Sequence, residues 1–147
     1  MSVDVETELT IDRGRAEVAA YAIDPDNAPE WYANIESVEL ETPRPVVVGS
    51  RMRFTARFMG RQLVYTYRVE ELVPGERLVM RTDEGPFPME TTYSWTDAGA
   101  DATTMTLRNR GEPAGFAKVG TPLMEAAMRR ANRKDLIQLK RILEARA

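Results

Sequence analysis

Within the 147-residue chain, Tyr65, Tyr93, Asn109 and Asp135 are the side chains whose type and position could move a proton or orient a carbonyl inside an apolar region. Asp135 falls near the middle of the apolar stripe of a C-terminal helical segment, where a carboxylate is desolvated or paired with an arginine. In a pocket it would accept a proton; where the helix runs past the rest of the fold it would be wet. Tyr65 and Tyr93 occupy inward positions of alternating segments, and each hydroxyl must meet a partner or a cavity. Asn109 stands inward near the end of the last such segment, where its amide would hold a ligand carbonyl or simply sit at a frayed strand end. Cysteine and histidine are both absent. That excludes cysteine and serine–histidine nucleophiles and the usual zinc sites, and leaves acid–base work to Asp, Glu, Tyr or Lys. No metal and no cofactor is expected, and no complete catalytic constellation is readable.

The element that must position these groups is residues 121–146. Met124, Ala127, Met128, Ala131, Leu139 and Ile142 recur at helical spacing on one side, with Arg129, Arg133, Lys140 and Glu144 opposite. At ~1.5 Å per residue such a helix crosses a small domain from end to end. Thr121-Pro122 is expected to cap and open it. Arg129, Arg130, Arg133 and Lys134 form a basic cluster on its polar side, read as a solvated face because Glu125 and Asp135 interrupt it.

The rest reads mainly as strand. Residues 3–11 alternate strictly, and six further strands are expected at 35–42, 51–58, 62–73, 77–82, 89–96 and 103–110, punctuated by Gly60, Pro74-Gly75 and Asp97-Ala98-Gly99. Between the first two strands, Asp12 is expected to cap a short helix through Ala16 to Ala22. Asn27-Ala28-Pro29-Glu30 matches a capping pattern for a second helix carrying Trp31 and Tyr32. Residues 111–115 form a breaker loop ahead of Phe116. Phe54 and Phe58, Tyr65 and Tyr67, Tyr93 and Trp95 share the apolar face, with Thr66 on the wet one. Met52, Met80, Met89, Met105, Met124 and Met128 also point inward, either lining a plastic pocket or filling gaps in a solid core. Arg51, Arg53 and Arg57 are expected to meet Glu39 and Glu41 as exposed cross-strand ion pairs.

The size, with 43% hydrophobic and 29% charged residues, suits one domain over 1–147 that buries a core without staples. A net charge of -3, from 20 basic and 23 acidic residues scattered along the chain, gives no general attraction to nucleic acid. The N-terminus alternates and carries acids, unlike a signal peptide, and no run is long enough to span a bilayer. A cytoplasmic protein, monomeric or homodimeric, is expected.

The order β-α-α, six strands, then one long helix resembles the START-like (SRPBCC) superfamily, within it the polyketide cyclase/dehydrase and lipid-transport branch. The likeness rests on Asp24-Pro25 to Pro29-Glu30-Trp31, Val48-Gly49-Ser50-Arg51, Val73-Pro74-Gly75-Glu76-Arg77, Gly85-Pro86-Phe87, Thr103 to Leu107 and the ending Asp135-Leu136 to Leu143-Glu144. It implies an α+β helix-grip fold, a curved seven-stranded antiparallel sheet around the C-terminal helix with a cavity between them for a small hydrophobic partner: a lipid, a polyketide or an aromatic compound. On that basis Trp31, Phe54, Phe58, Tyr65, Tyr67, Met80, Met89, Tyr93, Trp95, Met105, Asn109, Met124 and Met128 are the expected ligand contacts. Trp31 and Tyr32 lie where family members close the cavity mouth, although Trp31 would equally serve as an anchor for the helix pair. The resemblance does not by itself imply an enzyme. The alternative is a cyclase, aromatase or dehydratase using Asp135, Tyr65, Tyr93 and Asn109; an accessory protein that binds another protein is the third.

Overall fold

Strict alternation makes Val3–Ile11 a strand, β1, with Val3, Val5 and Ile11 buried. The computed structural model describes residues 2–113 and 119–146. After β1 come α1 (Arg15–Ile23), α2 (Ala28–Trp31), β2 (Ile35–Leu40), β3 (Arg51–Phe58), β4 (Arg61–Val73), β5 (Arg77–Glu84), β6 (Met89–Gly99), β7 (Ala102–Gly111) and α3 (Thr121–Glu144). The strands form one seven-stranded antiparallel sheet in the order β1-β7-β6-β5-β4-β3-β2, so the first strand pairs with the last. Register slips between Thr66 and Tyr67, between Val69 and Glu71, and between Asp97 and Gly99 bend the sheet, which curves as a half-barrel around α3.

The fold is the expected helix-grip arrangement, with local differences. β2 stops at Leu40, because Thr42 turns its hydroxyl to accept the Arg51 N–H at 3.1 Å. β5 and β6 run longer than expected, to Glu84 and Gly99. Thr66 is buried although alternation placed it on the wet face; the one-residue slip beside it breaks the alternation there. Three expected caps do not form. Gly14 precedes α1 in an extended conformation, while the Asp12 N–H is held by Glu144 at 2.8 Å. Asn27 precedes α2 but donates to the Tyr21 carbonyl, and Glu30 accepts the Tyr21 hydroxyl at 2.6 Å. Gly120 precedes α3, making Thr121 its first helical residue rather than its cap. Gly111 ends β7; Phe116 and the last part of the expected breaker loop lie outside the described residues.

α3 is fixed along the edge of the sheet as well as over its face. Glu125 accepts the Asp4 N–H at 3.0 Å, Lys140 donates to the Thr10 carbonyl at 3.0 Å, and Glu144 takes both the Asp12 N–H and, at 2.5 Å, Lys140. Edge groups that would otherwise template another strand are thereby occupied. The arginines of β3 pair as exposed ions, Arg57 with Glu36 at 3.3 Å and Arg51 with Glu41, Asp83 and Glu84, while Arg53 faces Glu39 in register.

The core has two parts. The larger joins Trp31, Met52, Leu78, Trp95, Met105 and Leu107 to Leu136, Leu139 and Leu143 in the second half of α3. The smaller joins Val3, Val5 and Leu63 to Met124 and Met128 in its first half. If the second half of α3 is the true clamp, Leu139→Ala should lower unfolding free energy by roughly 2–5 kcal/mol. Exposed Gln138→Ala should stay within about 0.5 kcal/mol; urea denaturation of both variants checks the contrast.

Candidate functional site

A cavity of about 140 Å³ lies between α3 and the concave face of the sheet. Its walls come from one end of the strands only: Phe54, Ala56 and Phe58 of β3, Leu63, Tyr65 and Tyr67 of β4, Met80 and Thr82 of β5, Met89, Thr91 and Tyr93 of β6, and Asn109 of β7. Met124, Met128, Ala131, Asn132 and Asp135 close it from α3, and Tyr32, Asn34 and Ile35 from the α2–β2 junction. Antiparallel register explains why these residues meet. Phe54 pairs with Tyr65, Met80 with Thr91, and Thr91 with Asn109, so successive strands deliver their inward residues to one level. At the other end the leucines of α3 fill the space. Exposed Asn34, Arg57 and Pro86 stand where the cavity meets solvent.

The apolar wall is aromatic and interlocked. Phe54 and Tyr65 stack with ring centroids 5.5 Å apart, and Tyr67 meets both edge-on at 5.3 and 5.2 Å. Such contacts hold the rings in place with or without a guest.

Two polar chains enter this wall. Tyr67 donates its hydroxyl to Thr91 at 2.6 Å, and Thr91 donates to Asn109 Oδ1 at 2.7 Å. That direction leaves the Asn109 NH₂ without a partner among the described residues. The second chain lies on the helix side. Ala33 N–H donates to Asp135 Oδ1 at 2.9 Å, and the Tyr32 and Tyr93 hydroxyls share a short hydrogen bond. Burial pushes the Tyr32, Tyr65 and Tyr93 hydroxyls well up, and Tyr67 to about 12, against the pull of its bond to Thr91. All four remain neutral donors near pH 7. Burial also raises Asp135 from 3.8 to about 7, opposed by the Ala33 N–H and by Lys134. Among the described lining residues, Asp135 is therefore the group whose charge changes near neutrality.

Of the residues singled out in the sequence, Phe54, Phe58, Tyr65, Tyr67, Met80, Met89, Tyr93, Asn109, Met124, Met128 and Asp135 meet around this space. Trp31, Trp95 and Met105 do not. They are sealed in the larger core part with Leu136, Leu139 and Leu143; for Trp95 and Met105, alternation gives the face of a strand but not the depth along it. Trp31 packs against Tyr32 at 4.1 Å and Tyr93 at 5.7 Å, anchoring the helix pair, and Tyr32 is the one that reaches the cavity. Asp135 is 3% exposed, so the alternative of a wet position is excluded. Asn132, buried and lining the cavity, was missed as a polar residue on a helix. Its spacing of four from Met128 and Leu136 was the signal.

A family model described as "Polyketide cyclase / dehydrase and lipid transport" matches residues 2–144. No protein with a curated description matches in sequence. Among solved structures, a Thermus thermophilus protein is 22% identical, with 98% of this chain and 99% of that chain covered at a TM-score of 0.82. A START superfamily protein from Mycobacterium smegmatis is 16% identical over 96% of this chain and 97% of its own, also at 0.82. The Zhui aromatase/cyclase from Streptomyces sp. R1128 is 18% identical over 98% and 94%, at 0.80. At these identities the likeness is one of fold.

The Asp135 shift has a signed consequence. A carboxyl whose folded pKa is raised keeps full stability below its unfolded value of 3.8, loses it as pH climbs towards about 7, and changes little above. Asp135→Asn, which can keep the bond from Ala33, should therefore add roughly 2–4 kcal/mol at pH 8 and almost nothing near pH 4. Urea unfolding of both proteins at the two pH values checks the sign.

Proposed function

Because the chain belongs to the polyketide cyclase / dehydrase and lipid transport family, we propose that it binds a small apolar molecule in the cavity between α3 and the concave face of the sheet. The observation that carries this reading is the hollow itself, walled by Phe54 and Met80 of the larger core part, Met124 and Met128 of the smaller, and Tyr65, which packs against both. An apolar cavity of about 150 Å³ accepts benzene, so a space of about 140 Å³ suits a compact ring system better than an extended acyl chain. The methionines let the walls adjust to guests of somewhat different outline.

A second reading, catalysis of the cyclase or dehydratase type, is favoured by Asp135. It lines the cavity, its pKa is near neutrality, and Asn109, also in the lining, has an NH₂ with no partner among the described residues. In that reading Asp135 takes and returns a proton while Asn109 donates to the carbonyl of the reacting molecule. Asp135→Asn would then abolish turnover without abolishing binding.

Thermal shift with one- and two-ring aromatics should raise the melting temperature, a ligand at 100 times its Kd contributing about 2.7 kcal/mol. Palmitate should have little effect. Ala131→Phe, which fills the cavity from a partly exposed helix position, should keep the fold and lose the response. Failure of every aromatic to shift the wild-type protein would contradict the proposal.

A further inference from the structure

Most polar atoms around the cavity are paired with one another, which makes the exceptions informative. The Asn132 side chain is 6% exposed, and its Nδ2 is fully buried with no partner among the described residues. Leaving such a donor unpaired costs on the order of 1–3 kcal/mol. One turn further along α3, Asp135 uses Oδ1 for the Ala33 N–H, and no described residue takes Oδ2. Residues three apart on a helix share a face, and both Asn132 and Asp135 line the cavity.

We propose that Asn132 and Asp135 together anchor the hydroxyl group of a small, neutral aromatic ligand, Asn132 donating to its oxygen and Asp135 accepting its proton. This rests on the binding reading above and narrows it to a class of guest. A hydroxyl is the simplest group that both accepts and donates. A carboxylate would accept from Asn132 but be repelled by ionised Asp135, and the one cationic residue among the described lining residues, Arg57, is exposed and engaged with Glu36. An alkylammonium would satisfy Asp135 but has no lone pair for Asn132. A bare hydrocarbon would leave both atoms as they are.

Three probes of similar outline separate the possibilities: naphthalene, 2-naphthol and 2-naphthoate, titrated into the full chain at pH 8, above the Asp135 pKa of about 7. Wild-type protein should bind 2-naphthol at least 10-fold tighter than either of the others. In Asn132→Ala and in Asp135→Asn the ratio of naphthol to naphthalene affinity should fall to 3-fold or less; the ratio reads the anchor even where a variant changes the cavity as a whole. Equal binding of naphthol and naphthalene by the wild-type protein, or a ratio that stays put in either variant, overturns the anchor while the cavity reading stands. Binding of none of the three overturns both.

Discussion

The geometry depends on how one helix is held. The second half of α3 sinks Leu136, Leu139 and Leu143 into the larger core part, while Lys140 binds the backbone of β1 at the sheet edge and Glu144 that of Asp12 just after it. Those contacts fix the axis of the helix. Its first half then passes over the opposite end of a bent sheet carrying only Met124, Met128 and Ala131, with Asn132 and Asp135 at the seam. Flexible and small side chains over a curved floor do not fill the gap, and the hollow is what remains.

That arrangement gives Asp135 its character. The carboxyl is withdrawn from water by the same packing that seats Leu136 beside it, and its partner is a backbone N–H at the end of α2 rather than a cation. A buried charge without a counter-ion is costly, and the group responds by holding its proton to higher pH. Through Ala33 it also ties α3 to the α2–β2 junction, where Tyr32 and Tyr93 join the wall. Structure and chemistry meet at one residue: the bond that closes this corner of the cavity leaves one carboxyl oxygen for a guest.

Much of the architecture was legible in the sequence because alternation and helical spacing are local signals. They placed seven strands and three helices, and the order of those elements pointed to the family that the chain belongs to. What was not legible depends on depth and on competition between partners. Trp95 and Met105 share a face with Tyr93 and Asn109, yet only the register with α3 decides which level is filled by leucines. Asp12 and Asn27 are good capping residues in isolation; the Asp12 backbone instead joins Glu144, and Asn27 joins the Tyr21 carbonyl. Asn132 was overlooked because polarity was read as exposure, although its helical spacing puts it in line with Met128 and Leu136.

The central claim is that the space between the first half of α3 and the concave face of the sheet is empty of the protein's own side chains. A crystal structure determined under xenon pressure tests it most directly, because xenon enters apolar cavities of this size. The account predicts a xenon atom among Phe54, Met80, Met124 and Met128, with α3 unmoved. Side chains packed across that space, leaving no room for a xenon atom, would contradict it.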